Sequence, residues 1–301
     1  MTDSALPIRK KPFEMTYAQL LKETSAELER LGVSNFEQEA WWILASSTGQ
    51  ENSHLAAELS FPVPVLVKDK VAKIVGERRS GQPLVYITGE TDFFNLRFKV
   101  SPAVLIPRPE TETLVAEVLK QLDKSANRQY PFSILDVGTG SGCIALALLS
   151  QLPGAGAVAT DISKEALRVA AENARALGLA PRIQFVLGDV LEPIKVEEKF
   201  DVVVANPPYI DPSEMGSLDS SVRHFEPNLA IESQKGGTWF HRQITRLGAT
   251  RLRRGGVLAF EVGNRQAGIV ARFLKKTGHY DKPQIFSDLF GYQRVVLARK
   301  I

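Results

Sequence analysis

SILDVGTGSGCIALALL, residues 133–149, joins a short apolar run, a glycine-rich pentapeptide and an apolar run of helical length. A strand, a turn and a helix in that order open an α/β unit, and glycine in the turn lets backbone approach a ligand that a side chain would block. Gly138, Gly140 and Gly142 follow G-x-G-x-G and not the G-x-G-x-x-G of dinucleotide binders, so a pyrophosphate resting on the helix N-terminus is not the favoured ligand. The alternation continues outward through AVATDI, KEALRVAAENARALG, IQFVLGD, FDVVVAN, a long loop and GGVLAFEV. Such a succession predicts a parallel sheet with helices on both faces. The tail QIFSDLFGYQRVVLAR offers two strands across a five-residue loop, an antiparallel pair closing the sheet edge.

Two acidic residues extend the candidate nucleotide site. Asp161 closes the strand after the glycine turn, at the spacing of about 20 residues where a carboxylate accepts ribose hydroxyl protons. Asp189 closes IQFVLGD, where its short side chain can accept from an adenine amino group with Val190 beside the ring. Taken alone, each reads equally as a strand-end turn or a helix cap.

Asn206-Pro207-Pro208-Tyr209 carries the sharper chemistry, directly after the apolar FDVVVA. Two prolines stiffen the turn and remove two N–H donors, so it presents carbonyl oxygens and the Asn206 side-chain oxygen. A rigid set of acceptors at the carboxyl end of a strand suits an –NH2 group gripped by its two hydrogens, and Tyr209 offers a flat face. Cys143, just past the glycine turn, reads as a small core residue and not as a nucleophile.

N-terminal to this region the periodicity is helical: Tyr17, Leu20, Leu21, Thr24, Leu28 and Leu31 recur at three- and four-residue steps. Thr16 with Gln19 and Asn35 with Gln38 have capping-box spacing, and Gly32 and Gly49 mark helix ends. DFF and LRFKV flank Asn95 as a hairpin would. Pro102, Pro107 and Pro109 then hold the chain extended until a helix starts near Thr111. The expected organisation is a mobile leader over 1–15, a helical domain over 16–90 for substrate recognition, a hairpin linker over 91–108 and a catalytic domain over 109–301.

Hydrophobic residues make up 44% of the 301, enough for a substantial core. A net charge of +3 leaves no footprint of a dedicated duplex-DNA binder, so no direct nucleic-acid partner is expected. Cys143 has no cysteine to pair with, and His54, His224, His241 and His279 lack ligand spacing, so no metal site is expected. MTDSALPIRKKPFEM has basic residues without an apolar stretch after them, and no run approaches the roughly 18 apolar residues of a membrane span. A cytoplasmic monomer without membrane contact is the expectation.

Asn206 to Tyr209 resembles the motif shared by methyltransferases that modify adenine N6, cytosine N4 and glutamine N5. With ERRSGQPLVYITGETDFFNLRFKVSPAVLIPRPETE, ILDVGTGSGCIALAL, SVRHFEP and LRRGGVLAFEVG, nearly the whole chain is similar to the bacterial peptide-chain-release-factor glutamine N5-methyltransferases. The resemblance implies a Rossmann-like seven-stranded class I methyltransferase domain preceded by a helical bundle and a β-hairpin, with S-adenosyl-L-methionine as cofactor. It implies that Gly138, Thr139, Gly140, Ser141, Gly142, Asp161 and Ile162 hold the cofactor, with Asp189 and Val190 at its adenine and Asn206 bordering it. Asn206, Pro207, Pro208 and Tyr209 would bind the glutamine of the Gly-Gly-Gln loop in class I release factors. After FEP at 225–227 the family commonly carries a run containing glycine and aspartate, whereas this chain reads NLAIESQKGGTWF. The alternatives are a ribosomal-protein glutamine methyltransferase, a nucleic-acid adenine methyltransferase and an inactive cofactor-binding assembly factor. IPRPETE and the helical bundle argue against the first, the weak charge against the second and the intact Asn206 to Tyr209 turn against the third.

Overall fold

The computed structural model describes residues 15–123, 131–234 and 236–301. The leader expected over 1–15 lies outside the described residues apart from Met15. The chain forms two compact units, one ending at Thr88 and one spanning Gly89–Ile301.

The first unit packs the helices Tyr17–Arg30, Phe36–Thr48, Asn52–Ala57, Val65–Arg78 and Leu84–Thr88 around a core containing Leu28, Ile43, Leu44 and Leu55. Tyr17, Leu20, Thr24 and Leu28 face inward as their spacing predicts, whereas Leu31 caps the helix and is exposed. The capping box forms at Thr16: its hydroxyl accepts from Gln19 N–H at 3.3 Å, and Gln19 Oε1 accepts from Thr16 N–H at 2.9 Å. The second expected box does not form. Asn35 sits at φ −109° and ψ 39°, off the extended backbone that aims a cap side chain at the first turn, and makes no cap bond.

In the second unit, β1 (Glu90–Phe93) and β2 (Leu96–Lys99) form the hairpin. Phe94 and Asn95 both take positive φ, 50° and 59°, the backbone of a two-residue turn whose twist matches the strands. Phe93 and Phe98 are buried in the core of this unit. The next helix starts at Pro109, two residues before the expected Thr111, because proline at the first helical position gives up only an N–H that would have no partner.

The remaining strands are β3 (Ser133–Val137), β4 (Gly156–Asp161), β5 (Ile183–Leu187), β6 (Phe200–Ala205), β7 (Leu252–Glu261), β8 (Gln284–Ser287) and β9 (Gln293–Arg299). They form one seven-stranded sheet in the order β5-β4-β3-β6-β7-β9-β8. The pairs from β5 to β7 are parallel, and β9 runs antiparallel to both β7 and β8. Every residue of β6 is buried, as expected of a parallel strand covered on both faces. Val202 and Val204 pack with the helices Pro109–Asp123 and Cys143–Gln151, whereas Val203 and Ala205 join the core on the other face.

The expected long loop between β6 and β7 holds the helix Trp239–Arg251. Its buried face includes His241, Thr245, Gly248 and Arg251, too polar and too small to show as an apolar stripe. Register places the site. Val137 pairs with Thr160 and Ala205, and Ala205 with Phe260, so Gly138, Asp161, Asn206 and Glu261 follow in line at the carboxyl edge.

Thr16→Ala should lower the stability of the first unit by about 1 kcal/mol, the usual cost of losing an N-cap, and Asn35→Ala by far less. Urea denaturation of both variants against the parent checks the difference.

Candidate active site

The turn after β3 is held from below and from the side. Gly138 and Thr139 N–H both donate to the Thr160 carbonyl at 2.9 Å, tying the turn to β4. Below it Asp136 is fully buried, accepting from the Thr139 hydroxyl at 2.7 Å and from Ala145 N–H at 3.3 Å through one oxygen. Burial outweighs these bonds and pushes its carboxyl up to about 7. Gly138, Gly140 and Gly142 have φ of 73°, 56° and 83°, a left-handed backbone that favours glycine. At Gly142 a Cβ would also stand 3.1 Å from Leu146 Cδ1 and 3.2 Å from Ala170 Cβ.

Asp161 closes β4 and clamps the turn: one carboxylate oxygen accepts Gly140 N–H and the other Ser163 N–H, each at 2.9 Å. Burial raises its pKa, opposed by these backbone bonds. Asp189 is not at a strand end, because β5 stops at Leu187. It belongs to a turn in which Val190 takes φ 47° and its carbonyl accepts the Thr160 hydroxyl at 3.1 Å.

A cavity of about 330 Å³ joins these elements. Gly138, Thr139, Gly140, Ser141, Asp161, Ile162, Asp189 and Val190 line one part, and Asn206, Pro207 and Pro208 another. Gly142 and Tyr209 are not in the lining. Gly142 is the residue packed against Leu146 and Ala170. The Tyr209 hydroxyl donates to Glu261 at 3.4 Å and its carbonyl accepts from Gln266 Nε2 at 2.8 Å, bonds that fix the end of the turn.

Behind the turn a chain of hydrogen bonds crosses three elements. Asn206 Nδ2 donates to the Thr111 hydroxyl at 3.3 Å, and that hydroxyl donates to Glu261 Oε2. Glu261 ends β7 and is fully buried. Burial pushes its carboxyl up to about 7 against the pull of the Thr111 bond and the Arg294 charge. His241 Nε2 meets the Glu261 carbonyl at 2.8 Å, and desolvation holds that imidazole down at about 4.

The roof of the cavity comes from segments whose residues had no site role in the sequence: Val104, Pro107 and Arg108 on one side, and Leu229, Trp239 and Phe240 on the other. Glu226 ties the two segments together, pairing with the Arg108 guanidinium and accepting Ile106 N–H at 3.2 Å. The proline-rich run 102–109 was the one available signal for the first. Nothing local marks Trp239 and Phe240.

The description "PrmC N-terminal domain" matches residues 19–89, and "Methyltransferase small domain" matches 113–222. The release factor glutamine methyltransferase of Moorella thermoacetica is 40% identical over 94% of this chain and 98% of its own length. The chain belongs to the release factor glutamine methyltransferase family. Its relative of the same description in Cereibacter sphaeroides is 36% identical over 95% of this chain and 99% of its own length. The α/β methyltransferase fold extends beyond the family: the hMettl16 catalytic domain aligns with a TM-score of 0.56 at 17% identity, covering 75% of this chain and 80% of that one.

Glu226→Ala leaves Arg108, one-third exposed, without its carboxylate, and should cost about 1.5–3 kcal/mol, the range for hydrogen bonds to a charged group. Denaturant titration reads the loss, and limited proteolysis should show new cleavage within 101–108.

Proposed function

We propose that this chain transfers the methyl group of S-adenosyl-L-methionine to the side-chain amide nitrogen (N5) of the glutamine in the Gly-Gly-Gln motif of class I peptide chain release factors. The observation that carries the reading is the single cavity that brings the glycine turn and Asp161 up against Asn206, Pro207 and Pro208, in a member of this family.

On this reading, Gly138 to Ser141 cradle the methionine end of the cofactor, Asp161 accepts from the ribose and Asp189 with Val190 meets the adenine. The bonds at Gly140 and Ser163 engage one lone pair on each Asp161 oxygen, and a carboxylate has capacity for more. Asn206 Oδ1 and the Pro207 carbonyl accept the two hydrogens of the substrate amide.

An amide nitrogen is a weak nucleophile because its lone pair is delocalised into the carbonyl. Two acceptors that grip its hydrogens place the nitrogen in line with the sulfonium methyl and favour pyramidalisation. S-adenosyl-L-methionine, when bound, would supply an electrophilic methyl group and depart as a neutral thioether, and the nitrogen, acidic only once methylated, would pass its proton to a nearby carbonyl or water. Apolar lining from Val104, Ile144 and Phe240 would disfavour a charged sulfonium more than the transition state.

The helical unit, within 16–90, is assigned to recognition of the release factor, and the second unit, whose core includes the hairpin expected as a linker over 91–108, to the chemistry. Among the described residues no helix is long and apolar enough to cross a membrane, and a cytoplasmic monomer fits this role. Transfer of labelled methyl from the cofactor to release factor, ribosomal protein and DNA, assayed side by side, tests the reading. Label appearing only in ribosomal protein or DNA overturns it.

Asn206→Ala removes one of the two acceptors and should slow single-turnover methylation about a hundredfold or more, some 2.7–4 kcal/mol by analogy with one oxyanion-hole donor. Cofactor affinity should change far less, and near-normal turnover would contradict the mechanism. Asp161→Ala should show the opposite split, with cofactor binding weaker by about 1.5–3 kcal/mol in calorimetry.

A further inference from the structure

Asn206 can hold a substrate –NH2 group only if its amide is turned with the oxygen toward the cavity and the nitrogen away. Its own shape does not decide this, because the oxygen and nitrogen of an amide occupy nearly the same space. The decision lies in what stands behind it. Thr111 is buried, and its hydroxyl has one proton to give. When that proton goes to Glu261 Oε2, the oxygen is left as an acceptor and takes the Asn206 Nδ2–H at 3.3 Å. The amide nitrogen is then spent on Thr111, and Oδ1 is the end left for the cavity.

We propose that Glu261 is a positioning residue that sets the direction of this chain of hydrogen bonds, so that Asn206 presents an acceptor and not a donor to the substrate amide. The proposal rests on the reading of Asn206 as the acceptor for the glutamine –NH2. Glu261 touches neither cofactor nor substrate and is absent from the cavity lining. It acts through Thr111, and its second oxygen takes the Tyr209 hydroxyl at 3.4 Å. One buried carboxylate thereby steers the first residue of the Asn206–Tyr209 turn and anchors the last.

The direction of the chain depends on the charge of Glu261. As a carboxylate it only accepts, and the order from Asn206 to Thr111 to Glu261 is enforced. Once protonated it can donate to the Thr111 oxygen, which frees the Thr111 proton for Asn206 Oδ1 and turns the amide nitrogen toward the cavity. The titratable and charged groups that face Glu261 are Tyr209 on the turn, Arg294 on β9, Glu110 on the helix Pro109–Asp123, Cys143 at the head of its helix and His241 at its carbonyl. Arg294 favours the carboxylate, while Glu110 and burial oppose it, leaving the carboxyl at about 7. The sign follows: above that pH the acceptor form is present, and as pH falls through it the productive orientation is lost.

Four variants separate steering from mere support. Glu261→Gln cannot titrate and, like protonated Glu261, can donate as well as accept, so it should lose the acid limb expected of wild type near 7 and turn over at the reduced low-pH rate at every pH. Glu261→Met keeps the bulk of the side chain without an acceptor, and Thr111→Val breaks the chain at its middle. Both should lower single-turnover methylation about tenfold, the effect of one hydrogen bond, with cofactor affinity nearly unchanged. Thr111→Ser restores the hydroxyl and should recover most of the lost rate. The free enzyme gives a readout independent of activity: the side-chain NH2 resonances of Asn206 should shift with an apparent pKa near 7 in wild type and stay fixed in Glu261→Gln. Equal acid limbs in wild type and Glu261→Gln, full turnover in Glu261→Met, or Asn206 resonances indifferent to the titration would each overturn the proposal. If wild type itself methylates no release factor, the reading of Asn206 as amide acceptor falls, while the resonance titration still decides whether Glu261 sets its orientation.

Discussion

Four of the five parallel strands, β3, β4, β6 and β7, held in one register by burial, are the constraint on which the rest depends. β6 has no exposed residue, so a one-residue slip would exchange its two faces and set Val203 and Ala205 against the wrong core. The same register leaves β3, β4, β6 and β7 level at their carboxyl ends. The turn after β3, Asp161, Asn206 and Glu261 therefore meet at one edge without any of them having to reach. The crevice lies there because strand order reverses between β3 and β6, so the connections leaving those strands diverge and leave a gap.

That edge gathers carboxyl groups. Asp136 and Glu261 are fully buried, and Asp161 is half-buried. Each is engaged by short donors: Thr139 and Ala145, Thr111 and Tyr209, Gly140 and Ser163. Burying a carboxyl group is unfavourable unless donors satisfy it, and here the donors are the segments that shape the site. Asp136 and Asp161 hold the glycine turn from two sides, and Glu261 holds the turn that carries Asn206. Electrostatic cost and geometric order are two aspects of the same contacts. Raised pKa values at Asp136 and Glu261 show that the donors offset the desolvation only in part.

Above the sheet edge the cavity is closed by chain from two distant regions, joined through Glu226 to Arg108 and Ile106. Proline stiffens the first of these, and the second is packed down through the bridge between Ile210 and Glu232. The run 228–240 supplies Leu229, Trp239 and Phe240 to the lining.

By itself the sequence determined the elements whose information is local. Alternating apolar runs announced the parallel sheet, the Gly138–Gly142 spacing announced a turn that only glycine backbone can make, and two prolines made the Asn206 turn rigid wherever the strand before it ended. Thr16 capped its helix because Gln19 stands on the next turn. A local pattern also misled where a second condition was needed: Asn35 has the right neighbour and the wrong backbone angle. Only the tertiary structure decided the supports. Asn206 and Thr111 are 95 positions apart, and Thr111 and Glu261 are 150 apart. The helix carrying Trp239 and Phe240 was hidden because its buried face is polar. A hydrogen bond across such distances leaves no periodic or compositional trace, since its two ends are chosen by how strands and helices pack and not by their neighbours along the chain.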